Sequence, residues 1–312
     1  MAASLRATIV AGFLITGAAL FAQARPGTAP ATTGSIWRDV EEATIRNTLS
    51  SATTGSSPRR DIVPQVYRTL QLNKSALIDL LASAPLESSG AMEVTGAELQ
   101  IPLPSGGFGR FRIQESPIME PKLAAKFPEL KTYVGQGIDD PTATMRIDLT
   151  PRGFHAIILS AGGQIYVDPY SRETDTDYIS YWKSDFTSDK PFSCATESES
   201  GQTEPLTHTA PYVPTGATLR SYRLALAATG EYATAVCNPN PPTVAATLAA
   251  MITSVNRCSA VYEREFSIRF LLINNNDKLI YLDGATDPYT NSSGSTMLGQ
   301  NQSNIDSVIG SA

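Results

Sequence analysis

Two histidines, His155 and His208, and three cysteines, Cys194, Cys237 and Cys258, are the side chains here best suited to hold a transition metal or act as nucleophiles. A catalytic zinc site commonly draws on two or three histidines, and an all-thiolate site needs four cysteines. These 312 residues supply neither a histidine cage nor an all-cysteine one. Oxygen ligands are the other option. Asp283, Asp287 and Asn291 recur every four residues in a loop and could hold Ca²⁺. The spacing is not that of an EF-hand, and turn chemistry accounts for the same residues. Glu231 offers one more carboxylate, or is an ordinary turn or helix acid. Cys237 and Cys258 could pair, although Cys258 lies roughly 20 Å along the expected helix and a disulfide needs Cα atoms within about 7 Å. A different partner for Cys237, and a core position for Cys258 on an apolar stripe, are the alternatives. Arg59-Arg60 reads as solvated charge or as a nick site, and Tyr178, Tyr181 and Trp182 read as core or interface aromatics.

Charge and composition narrow the setting. The 24 Lys+Arg against 30 Asp+Glu give a net charge of −6, so there is no basic footprint for nucleic acid. The 42% hydrophobic content supports a packed core. Residues 1–24 have the form of an export signal: Arg6, an uncharged apolar run from Ala7 to Ala22, then Ala22-Gln23-Ala24 as a small-x-small cleavage pattern. The expectation is a secreted chain, extracellular or periplasmic, without a stable membrane anchor. Residues 25–61 read as a flexible N-terminal segment, with a short helical tendency over 36–49.

The elements that must position these groups follow from periodicity. Lys74 to Ala84 predicts an amphipathic helix with Asn73 as N-cap and Pro85 as stop. Residues 98–103, 108–114, 142–149, 154–159 and 164–167 alternate as strands, with turns at 104–107 and 161–163. They predict a β-rich domain over 62–186. Residues 187–218, with Glu197, Glu199 and Glu204 among Ser, Thr and Pro, predict an exposed, cleavable linker. From Leu219 the pattern becomes α/β. A strand over 219–228 is followed by a long helix from an N-cap at Thr243 to about Arg264, with Val244, Leu248, Met251, Val255, Cys258 and Tyr262 on one stripe. A more buried strand over 266–273, a short strand over 278–282 and the start of a helix over 301–309 complete the reading. The fold class is therefore α+β, with a βαβ unit in the last third.

Residues 219–232 (LRSYRLALAATGEY), 243–265 (TVAATLAAMITSVNRCSAVYERE), 266–276 and 287–310 resemble the start of the catalytic domain of secreted bacterial reprolysin-like zinc metalloproteases, in the metzincin group. Residues 127–186 resemble the propeptide region of the same proteins, with FPELKTYVGQGIDDPTATMRIDLTPRGFHAIILS and YISYWKSDF as carriers; residues 30–90 do so more weakly. The resemblance implies a metzincin-like first half-domain over 219–312, a zinc cofactor, protein or peptide substrates, and a protease that cuts the linker. It implies a precursor that hydrolyses peptide bonds through a metal-activated water. The family motif H-E-x-x-H-x-x-G-x-x-H is not in these residues, so no catalytic residue carries over, and the expectation is a chain truncated before its zinc site and inactive as it stands. Cys194 is the candidate metal ligand. A propeptide thiolate there could cap zinc as a cysteine switch, although Ser193 and Ala195 replace the usual neighbours; a disulfide or a spare thiol is the alternative. The competing functions are a non-catalytic secreted protein-binding module and a propeptide-type protease inhibitor.

Overall fold

The computed structural model describes residues 35–52, 59–87, 96–188 and 218–310. The export signal, Cys194, His208 and nearly all of the linker lie outside the described residues.

The first strand and helix are β1 (Trp37–Asp39) and α1 (Glu42–Ala52), followed by β2 (Arg68–Leu72) and α2 (Lys74–Ala82). The helical tendency expected over 36–49 is realised from Glu42 on, while residues 37–39 form a strand because they pair with Leu70–Leu72. The Asn73 side chain accepts from the Ala76 N–H at 3.2 Å, which is the N-cap expected from sequence. Next come β3 (Ala97–Pro102), β4 (Phe108–Glu115), the short α3 (Pro121–Lys126), β5 (Lys131–Gly137), β6 (Thr144–Thr150), β7 (Gly153–Ser160), β8 (Gly163–Pro169) and β9 (Asp177–Trp182). The nine strands form one antiparallel sheet in the order β1-β2-β9-β8-β7-β6-β5-β4-β3. From β3 to β9 it is a plain meander, in which each strand pairs with the next in sequence.

Strand alternation gives this sheet two unlike faces. On one face Leu99, Ile101, Phe111, Ile113, Met145, Ile147 and Phe154 pack beneath Leu77 and Leu81 of α2. Trp37, Phe154 and Tyr178 meet edge to face there, with ring centroids 5.4 to 6.4 Å apart. The other face carries Arg146, Asp148, His155, Ile157, Leu159, Asp168 and Tyr181. Beside it, Ile45 and Leu49 of α1 pack with Tyr170, Ile179 and Tyr181.

The last third contains β10 (Arg220–Leu224), α4 (Gly230–Cys237), α5 (Val244–Phe266), β11 (Ile268–Leu272) and α6 (Gly294–Val308). β10 and β11 pair in parallel, with Tyr222 opposite Phe270, and α5 is the crossover between them. Thr243 caps α5 by accepting from the Ala246 N–H at 3.2 Å, and Ser267 ends it in the left-handed conformation at φ 54°. β11 is half-buried rather than the deeper strand expected, since only Leu272 is fully enclosed. Residues 276–279 form a 3₁₀ turn instead of a strand, and Ile280 makes a single parallel bridge to Ala228. The buried band on α5 runs through Leu248, Met251, Ile252, Val255, Asn256 and Ser259. Cys258 and Tyr262 fall outside that band and are exposed, so the expected stripe is rotated at its C-terminal end. Length and composition would let α5 cross a bilayer, yet 56% of its most apolar window is buried inside the fold, which accounts for its hydropathy.

Candidate functional site

α5 lies across β6 and β7, on the polar face of the sheet. The chemistry of this contact follows from the sequence of β6, Thr-Met-Arg-Ile-Asp-Leu-Thr. Met145 and Ile147 point to the apolar core, so Arg146 and Asp148 must point to α5.

Arg146 is only 2% exposed. Its guanidinium donates to Glu263 of α5 at 2.5 and 3.2 Å, to Ser116 Oγ at 3.2 Å and to Asn256 Oδ1 at 3.4 Å. Glu263 also accepts from Arg269 of β11 at 2.5 Å, and Arg269 grips Glu87 at 2.6 and 2.9 Å. Positive and negative charges therefore alternate through four side chains, two from each end of the sequence. Burial pushes the Glu87 carboxyl up, but hydrogen bonds from Arg269 and Ser116 and the nearby arginines outweigh it and hold Glu87 below the usual carboxylate range. Burial lowers the Arg146 guanidinium, against the pull of Glu263.

A second polar group sits nearby on the same face. Asp148 and His155 face each other across the β6–β7 ladder, with His155 Nδ1 3.0 Å from Asp148 Oδ2. Thr253 of α5 donates to the same oxygen at 2.8 Å. Asp168 accepts from Tyr181 at 2.9 Å and pairs with Arg257 of α5. Burial lowers the Arg257 guanidinium, but the Asp168 and Asp148 charges outweigh it and leave it raised. Burial, then the Asp168 charge, raise the Tyr181 hydroxyl. Below this group opens a cavity of about 560 Å³ between the sheet, α4 and the start of α5, lined among others by Arg152, His155, Arg172, Cys237 and Arg257. Arg152 and Arg172 donate to carbonyls at the end of α4, among them Val236 O, where the helix dipole favours cations.

The third connection is made by main chain. Met119 makes a single parallel bridge to Leu272 of β11: the Leu272 N–H donates to Ile118 O and the Glu120 N–H to Leu272 O, both at 2.8 Å. The Glu120 carboxylate accepts from Arg223 Nε at 2.5 Å and from the Asn274 N–H at 2.8 Å. Ile118, Met119, Leu123 and Leu130 share one apolar core with Leu248, Val255 and Leu272.

The charged residues of these contacts, unlike His155, Leu248 and Val255, did not stand out in the sequence. The available signal was an arginine and an aspartate alternating with apolar residues on a strand, which reads equally as a solvent face. Of the residues singled out from sequence, His155 is held by Asp148 and does not approach a second ligand pair; among the described residues no group of three metal-ligating side chains comes together. Cys237 is a buried free thiol 3.7 Å from Thr247 Oγ1, and Cys258 is an exposed free thiol about 16 Å further along α5. Asp283 accepts from the Ala285 N–H, and Asp287 from the Tyr289 N–H and from the Gly230 N–H at the start of α4, all at 2.8 to 2.9 Å, so both carboxylates are engaged by main chain. Arg60, read as solvated, is instead packed against the rings of Tyr67 and Tyr170, 4.8 and 4.1 Å from their centroids. Zinc does not fit the donor set of the described residues.

No curated protein matches the chain. The family model for reprolysin-like metallo-peptidases of family M12B matches residues 218–312, which span β10, α4, α5, β11 and α6. That family is zinc-dependent and acts on protein or peptide substrates. Residues 218–312, less than a third of the chain, are thus similar to the reprolysin-like M12B metallopeptidases.

Proposed function

We propose that this chain is the N-terminal part of a secreted zinc metalloendopeptidase precursor. Residues 1–24 are its export signal, 62–186 its β-rich propeptide-like region, 187–218 the segment an activating protease cuts, and 219–312 the first half of the catalytic domain. The observation that carries the reading is the family match over 218–312, laid on a β10-α5-β11 crossover unit. The apolar run before Ala22-Gln23-Ala24 supports export. The sequence contains no H-E-x-x-H, so the residues that hold zinc and polarise its water would lie beyond these 312, and this chain by itself would be inactive. Cys194 goes with this reading as the thiol that would cap the zinc of the complete precursor.

The test is to read the extended reading frame and titrate zinc. The expected result is an H-E-x-x-H downstream, one tightly bound zinc in the longer product, and none in the 312-residue chain. Tight stoichiometric zinc binding by the 312-residue chain would overturn the proposal, as would a frame that carries no such motif.

A further inference from the structure

The two regions joined by residues 189–217 are packed together as the parts of one interior. Ile118 and Leu123 on one side, and Leu248 and Leu272 on the other, are at most 1% exposed and belong to a single core. Arg146 is buried at this contact, where Glu263 and Asn256 of α5 both accept from its guanidinium. At the end of β11, Leu272 is tied to residues 118–120 by two main-chain hydrogen bonds. Contacts of this kind resemble an obligate interface, a domain core cut in half, rather than a transient one. Separation would leave the Arg146 guanidinium and the Glu87 carboxylate without their charged partners, Glu263 and Arg269, and would break the main-chain bridge at Leu272.

We propose that 218–310 carries, in α5 and the end of β11, a binding surface for residues 35–188 that holds without the connecting peptide. Scission within 189–217 then leaves a non-covalent complex, and cleavage alone does not release the β-rich region. The charge cluster centred on Glu263 is the lock of this complex, and the Glu120–Arg223 pair is its outer clasp. Buried charges are little screened by salt, so the complex holds at physiological ionic strength. The biological meaning of this inference rests on the precursor reading above; its physical content does not.

The experiment inserts the recognition sequence of a site-specific protease after Gly201 of the full chain. The purified protein is cut and examined by size-exclusion chromatography at about 1 µM, a concentration at which only a complex with a sub-micromolar Kd stays whole. Exchange of a labelled 35–188 fragment gives the dissociation rate. The expected result is co-elution of both fragments, with dissociation at least about tenfold faster in Glu263→Gln, since losing one partner of a buried charge pair acts on the off-rate. Glu120→Gln, at the rim, gives a smaller acceleration and carries the comparison if Glu263→Gln fails to fold. Separate elution of the unmutated fragments overturns the proposal. Dissociation unchanged in the variants overturns the role given to these residues. The readout needs neither zinc nor peptidase activity, so it fails or succeeds independently of whether a zinc motif lies downstream.

Discussion

The two faces of the nine-stranded sheet are covered in different ways. The face under α2 is mainly apolar, and its cover comes from residues immediately beside it in sequence. The face under α5 carries Arg146, Asp148, His155 and Asp168, and its cover comes from about a hundred residues further on. The first face is stabilised by removing hydrocarbon from water, at roughly 25 cal/mol per Å². The second depends on charges finding fixed partners, which adds specificity more than stability. A sheet face can therefore look solvent-exposed in sequence and still be half of an interior.

The sharpest way to break this comparison is Glu263→Ala. It strands Arg146 and removes one of the two acids on Arg269, so we expect a loss of about 3–5 kcal/mol in urea unfolding. Leu99→Ala on the opposite face should cost about 3 kcal/mol by the same measurement, from lost transfer energy and the cavity left behind. A loss for Glu263→Ala well below that for Leu99→Ala would show the polar face to be weakly held.

Acid sharpens the contrast further. Glu87 has its carboxyl held below the ordinary glutamate value of 4.5, so its contribution is present above that pH and is lost as pH falls through the lowered folded value. Urea midpoints of the unmutated protein should fall as pH drops below about 4.5, and Glu87→Gln should flatten that slope. An unchanged slope would mean that other carboxylates carry the acid sensitivity. The smallest effect is expected from the double change Arg146→Met with Glu263→Leu. Replacing a buried ion pair by apolar side chains should return stability to within about 1 kcal/mol of the unmutated protein, although Glu263→Ala alone is costly.

Much of the architecture was legible from local pattern. Thr243 and the Leu248, Met251, Val255 spacing define α5, and the Gly162-Gly163 turn between two alternating runs defines the β7–β8 hairpin. β5 escaped notice because its Gly135 and Gly137 interrupt the strand signal. At Gly135 a Cβ would sit 2.7 Å from the Met145 methyl, so the small residue serves close packing rather than a turn. The bridge at 118–120 escaped because three residues flanked by Pro117 and Pro121 carry no periodicity, and their partner Leu272 lies more than 150 residues away. The charge cluster escaped for the same reason: Arg146, Glu263, Arg269 and Glu87 each look like surface residues until the fold brings them together. The reprolysin-like segment was legible from its own residues, and the family match falls on that segment.

The polarity of the α5-facing surface also bears on the order of synthesis. Every strand of the meander precedes α5 in the chain, so a sheet formed as the chain emerges, from the ribosome or from an export channel, waits for its cover. An apolar surface left open for that interval would invite association with other nascent chains. Arg146, Asp148, His155 and Asp168 keep the waiting surface hydrated and repel wrong partners, and α5 then displaces that water with Glu263, Thr253 and Arg257. The charges that make this interior costly to assemble are thus the ones that keep it soluble until assembly can occur.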